Sequence, residues 1–204
     1  MKGRGTAWIR MAVLALALGM PAAAQGQFSD AYNFLRAVKD TDGEKATKLL
    51  QKPGSTVINS RDVNSGETAL HIVVARRDVT WLNFLLAKGA NPNQADNNGD
   101  TPLLDAVQLR FEDGVRALLT QGAQIDKANG SGETPLIRAV QLRDIGLVRL
   151  LVKEGANPDK RDTIAGMSAR DYAMRDARTA GLLEILSSAK TTDTPRGPVQ
   201  GPVF

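Results

Sequence analysis

The 204-residue chain holds one histidine and no cysteine, which narrows its chemistry at once. His71 could serve as a general base or a ligand, but it stands alone. A zinc site draws about four ligands from Cys, His and carboxylate side chains, and no His-x-x-His or Glu-x-x-His grouping is present. Ser131 has no histidine near it in sequence, so a nucleophilic serine would lack its base. Asp96-Asn-Asn98-Gly-Asp100 opens like a calcium loop. Such a loop needs glycine at its sixth position and glutamate at its twelfth, where Thr101 and Val107 stand. Asn129-Gly-Ser-Gly132 has the glycines of a phosphate cradle without the Lys-Ser/Thr that must follow. These segments read as turns. No catalytic residue, metal or cofactor is expected.

The elements that carry these residues recur with a fixed period. Gly66-Glu-Thr-Ala-Leu-His71 is followed by Gly99-Asp-Thr-Pro-Leu-Leu104 and Gly132-Glu-Thr-Pro-Leu-Ile137, each 33 residues after the last. A second series keeps the same beat: Gly89-Ala-Asn-Pro92, Gly122-Ala-Gln-Ile125 and Gly155-Ala-Asn-Pro158. Paired aliphatics lie between the markers at Leu85-Leu86, Leu118-Leu119 and Leu150-Leu151. A fixed period of this length is the signature of a stacked-repeat architecture. Thr101 and Thr134 are suited to cap helices whose first position is Pro102 or Pro135, where a missing N–H costs nothing. Gly89, Gly122 and Gly155 fit the left-handed residue that closes a helix.

From about Asp30 to Leu186 the chain resembles the ankyrin-repeat family, on the strength of these two interlocked series. The resemblance implies an all-α repeat fold: an ankyrin-type α-solenoid of about five helix-turn-helix units joined by β-turn hairpin loops. The repeat domain is expected over residues 28–188, with units near 30–61, 62–96, 97–129, 130–162 and 163–188. The first unit lacks the Thr-Pro-Leu-His signature, and its connection, residues 51–59, is irregular. The last begins at Gly166, one residue out of step, and carries Arg170 where the family places a buried leucine, suggesting a solvated final face. The resemblance also implies that His71 hydrogen-bonds turn backbone rather than doing chemistry.

Both flanks differ from the repeats. Lys2, Arg4 and Arg10 precede the apolar run Met11–Met20, and Pro21 and Ala22-Ala-Ala24 follow. This reads as a signal peptide, residues 1–24, cut after Ala24. Ten apolar residues span about 15 Å as a helix against a hydrocarbon core of roughly 30 Å, so a membrane anchor is not expected. A lipid anchor would need a cysteine at the cut. The expected address is the periplasm, with secretion as second choice. Removing the leader leaves 23 basic against 22 acidic side chains. The positive charge thus belongs to the leader, and a phosphate-binding surface, which needs a concentrated basic field, is not expected. The low aromatic content, 4%, argues likewise against base stacking. Residues 189–204, rich in Pro, Gly and Thr, read as a flexible tail.

With the catalytic set missing, the resemblance implies binding of an unidentified protein, and a monomer is expected. In ankyrin arrays the turn tips and the exposed side of the inner helices form a concave groove. Matching positions here are Glu67, Asn98, Asp100, Ser131 and Glu133 at the tips, and Arg76, Gln108, Leu109, Gln141 and Leu142 on the inner helices. Arg77, Arg110 and Arg143 follow the inner helices in a slot where the family usually has glycine. Leu109 and Leu142 are apolar where solvent is expected, and arginine is enriched in binding hot spots. Asp105 and Arg138 share one slot in neighbouring units and are expected to pair across the stack. The two roles considered are an adaptor and an inhibitor, an immunity or protective protein for one enzyme or toxin.

Overall fold

Short apolar runs punctuated by capping residues cannot bury their faces alone, and here they do so by stacking. The computed structural model describes residues 29–176 and 180–188. The expected leader, with its expected cut after Ala24, and residues 189–204 lie outside the described residues. The inner layer consists of α1 (Asp30–Lys39), α3 (Ala69–Ala75), α5 (Pro102–Gln108), α7 (Pro135–Gln141) and α9 (Ala169–Arg175). The outer layer consists of α2 (Gly43–Leu50), α4 (Val79–Ala87), α6 (Glu112–Thr120), α8 (Ile145–Lys153) and α10 (Ala180–Ser187). One helix pair falls in each of the five expected units. The irregular connection after α2 contains a single 3-10 turn, Val57–Asn59, which tucks Val57 into the core.

Each inner helix packs against the next, from α1 through α9, and each outer helix packs on its own inner partner. The buried positions keep the 33-residue beat: Leu70, Leu103 and Leu136 on the inner layer, Leu85, Leu118 and Leu151 on the outer. The outer register thus falls on Leu151 rather than on the first leucine of the pair Leu150-Leu151. Burying each such leucine contributes roughly 2 kcal/mol. The seven-residue inner helices α3, α5 and α7 are too short to persist alone, so this packing holds them.

Local chemistry fixes where the helices start. Thr101 Oγ1 accepts from the Leu104 N–H at 3.3 Å and Thr134 Oγ1 from Ile137 at 3.2 Å, with proline at the first helical position of each. Aspartates cap three outer helices: Asp42 accepts from Lys45, Asp78 from Trp81 and Asp144 from Leu147. Among the outer helices α6 differs, with Phe111 in that slot and no side-chain cap.

Successive hairpins are stitched together. The N–H of Asn97 donates to the Ser65 carbonyl, that of Gly130 to Asn98 and that of Thr163 to Ser131, each at 3.0 Å. The one-residue slip at Gly166 has a visible cause. Asp162 and Gly166 are four apart, like Asp62 and Gly66, whereas the middle hairpins have three-residue spacings from Asp96 to Gly99 and from Asn129 to Gly132. The first and last hairpins are the longer kind, and each forms an antiparallel bridge, Arg61 with Thr68 and Arg161 with Ser168. Arg170 is not left to solvent. It is half-buried, and its Nε donates to Asp159 at 2.8 Å, so the final unit keeps a polar anchor where the others have leucine.

Candidate protein-binding face

Two rows of charge border the inner-helix face, and the helices dictate both. The hairpin residue before each capping Thr supplies Glu67, Asp100 and Glu133. The turn at the opposite end of the same helices supplies Arg77, Arg110 and Arg143. These arginines hold φ of 54°, 53° and 54°, a left-handed conformation that costs a side-chain-bearing residue roughly 1–2 kcal/mol.

The acidic row is engaged within the protein. Glu67 Oε2 accepts from Ser65 Oγ at 3.0 Å, and Asp100 Oδ1 accepts from the Asn129 amide at 2.9 Å. Glu133 is gripped in a two-pronged pair by Arg138, whose Nε donates to Oε1 at 2.7 Å. Arg138 also reaches back one unit to Gln108 Oε1 at 2.9 Å. The expected pairing of Asp105 with Arg138 is therefore not formed: the guanidinium turns to Glu133, and no ion pair joins it to Asp105. Asp105 is half-buried beneath the acidic row. Burial, together with Asp100, Asp96 and Glu67, pushes its carboxyl up to about 7. Repeat spacing marks Asp105 only as a partner for Arg138, not as a carboxyl held protonated. Its signal, an acid facing carboxylates from two units, exists only once the units are stacked.

The basic row is unevenly occupied. Arg110 donates to the Leu142 carbonyl at 2.6 Å and to Asp144 Oδ2 at 3.3 Å. Arg143 donates through Nε to Asp176 Oδ2 at 2.7 Å. Arg77 is exposed; its backbone N–H donates to the Val74 carbonyl at 2.8 Å, and its guanidinium has no hydrogen bond or ion pair among the described residues. Arg76, half-buried, serves the scaffold: it donates to the carbonyls of Val38 at 2.5 Å and Lys39 at 3.0 Å, closing the end of α1.

The remaining candidates separate by exposure. Asn98, Gln108 and Gln141 are exposed, and Ser131 is half-buried with its carbonyl in the hairpin stitch. Leu109 and Leu142 cap the C-termini of α5 and α7 and are half-buried, Leu109 resting against the core. They are thus partly packing residues with one edge on the surface.

His71 is 2% exposed. Its Nδ1 accepts from the Thr68 N–H at 3.0 Å, which places the proton on Nε2, and Nε2 donates to the Asp100 carbonyl at 3.1 Å. Burial holds its pKa below the ordinary range, so it stays neutral and ties one unit to the next. Asp96 Oδ1 accepts from the N–H groups of Asn98 and Asp100, at 2.8 and 2.9 Å, as a turn aspartate. Among the described residues no group of three or more His, Cys, Asp or Glu side chains is placed to hold a metal ion. No described helix is long and apolar enough to cross a membrane.

Comparison with known proteins agrees with this geometry. A family model for ankyrin repeats in three copies matches residues 34–129, and a single ankyrin-repeat model matches residues 131–163. No curated protein matches the chain. The matched residues take in the first four helix pairs from Phe34 onward, and α9 and α10 continue the stack beyond them by packing on α7 and α8. On the repeat period, the stacked helix pairs and these matches, the chain belongs to the ankyrin-repeat family.

Proposed function

We propose that this protein is an exported, non-catalytic binding module that engages a protein partner through the concave side formed by its hairpin tips and inner helices. Members of the family are in general protein–protein interaction modules. The observation that carries the reading for this chain is the contrast between its repeated leucine core and the uneven engagement of its arginine row. The slots of Leu70, Leu103 and Leu136 and of Leu85, Leu118 and Leu151 hold leucine in each unit, whereas Arg110 and Arg143 are paired and the Arg77 side chain is not. A scaffold needs the first property, and specificity for one partner needs the second. Export rests on residues 1–24, whose basic start, short apolar run and Ala22-Ala-Ala24 suit a cleaved signal peptide and a periplasmic address.

Affinity capture from a periplasmic extract with the mature chain tests the proposal. The Leu109→Ala, Arg110→Ala double variant should lose the captured partner by tenfold or more, since arginine is enriched among the few residues that carry most binding energy. Its melting must be checked in parallel, because Arg110 also ties the α5 turn to Asp144. Arg149→Ala, on the outer layer, should leave capture unchanged. If the captured partner is an enzyme or toxin that loses activity in the complex, the role is inhibitory rather than adaptor-like. Capture that survives the double variant sinks the assignment to this face.

A further inference from the structure

We infer that Arg77 is a recognition residue whose ligand is a carboxylate of the partner protein, and that the molecule's own repeats show the shape of the contact. This rests on the reading of the inner-helix side as the binding face. Three consecutive units place an arginine in the same left-handed slot. Glycine would hold that backbone without strain, so the side chain is the reason for an arginine there. In two units the reason is plain. Arg110 binds the carboxylate of Asp144, and Arg143 binds that of Asp176, in each case reaching an acid of the following unit. The residue matching Asp144 in the unit after Arg77 is Phe111, 33 positions earlier. An aromatic ring, 8% exposed, stands where the acid would be.

The strain is therefore present at Arg77 without its compensation. Strained backbone that the fold does not repay is a feature of ligand-contacting positions. Neighbouring groups do not fill the gap. Asp78 is engaged with the Trp81 N–H and lies 3.6 Å from Arg76, and Arg76 is committed to the end of α1. The cation presented here is thus matched to a carboxylate arriving from outside. Guanidinium suits this role because its planar fork binds a carboxylate through two parallel bonds.

The separating variant is Arg77→Gly, since glycine relaxes the backbone and removes only the side chain. The probe is a phage-displayed library of random peptides, selected on the mature wild-type chain. Expected are binders enriched in Asp or Glu, which bind Arg77→Gly about tenfold more weakly while that variant melts no lower than wild type. Phe111→Asp, which installs the acid in cis, should weaken the same peptides, with circular dichroism confirming that it folds. Peptides that lack acidic enrichment, or that bind Arg77→Gly as tightly as wild type, overturn the inference. If those peptides still lose binding to the Leu109→Ala, Arg110→Ala variant, the binding face stands and only the role of Arg77 falls. A selection yielding no peptide sensitive to either variant counts against both.

Discussion

Gly132 and Gly166 occupy the same hairpin slot and both have positive φ, 75° and 64°, yet they are held by different forces. A Cβ on Gly132 would lie 2.6 Å from the backbone N of Thr163 in the next hairpin, whereas one on Gly166 would meet nothing within 4 Å. In the middle of the stack the glycine is required twice, once for its own backbone angle and once for the approach of the following unit. At the end only the first requirement survives. The 33-residue period is thus a record of contacts between units, and it loosens where a unit has no successor among the described residues.

Alanine at each position should expose the difference. Gly132→Ala is expected to cost about 3 kcal/mol: roughly 1–2 for the left-handed backbone and a similar amount for displacing Thr163. Gly166→Ala should cost about 1–2 kcal/mol, the backbone share alone. Urea unfolding of the two variants side by side checks this. Equal losses would mean that the stitch from Thr163 to Ser131 contributes nothing.

His71 and its counterparts test the same idea inside the core. The capping box of Thr68 with His71 also reaches the Asp100 carbonyl of the next unit, whereas the Ser168–Asp171 box of the last unit reaches only Arg161 of its own hairpin. His71→Ala strands the buried Thr68 N–H and removes the tie to the Asp100 carbonyl, which keeps only the Asp96 N–H, and should cost about 2–3 kcal/mol. Asp171→Ala, at a partly exposed box, should cost about 1 kcal/mol. Thermal unfolding resolves the two.

Ends and middle also respond oppositely to pH. In the end hairpins the backbone N–H groups of Ser65 and Asn64 lower the pKa of Asp62, and Tyr172 with the N–H groups of Ala165 and Gly166 lowers that of Asp162 against the cost of its desolvation. Their contribution to stability is present above the unfolded value near 3.8 and is lost as pH falls through the folded one. Asp105 runs the other way, from 3.8 unfolded to about 7 folded. Its neutral form suits the fold, so its contribution is complete below 3.8 and is lost as pH rises through about 7. Asp105→Asn should therefore match wild type near pH 4 and melt several degrees higher at pH 8. A melting difference that does not widen with pH would remove Asp105 from the account.

Much of the solenoid was legible because its markers are backbone requirements. A capping Thr, a Pro at the first helical position and a turn glycine each answer a local need that repeats with each unit, and His71 keeps its expected structural place. Less of the binding face was legible. The sequence shows Arg77, Arg110 and Arg143 as one ladder, but whether each has an acceptor depends on residues 33 or 34 positions away. Asp105 and Arg138 suggested a pair by slot, yet Glu133, five residues from Arg138, gives the guanidinium a better two-pronged partner. Arg170 looked solvated because its slot usually holds leucine, and Asp159 alters that outcome. Side-chain choice among competing partners is settled by geometry that periodicity does not carry.

The smallest expected effect bears on that ladder. Replacing a left-handed arginine by glycine removes strain, and the unfolded state of glycine gains entropy that offsets part of the relief. At Arg77 no described ion pair is lost, so Arg77→Gly should stabilise by about 0.5 kcal/mol. At Arg143 the same change also removes the pair with Asp176, in which the arginine side chain is 47% exposed. Such a partly exposed pair is worth about 0.5 kcal/mol, which leaves Arg143→Gly near neutral. The informative quantity is the difference between the two substitutions, because helix-turn geometry and residue type are shared and only the acceptor differs. High salt should shrink that difference, since it screens the Asp176 pair and leaves the backbone terms untouched. A difference that persists in molar salt would assign it to the local backbone rather than to the missing acid at Phe111.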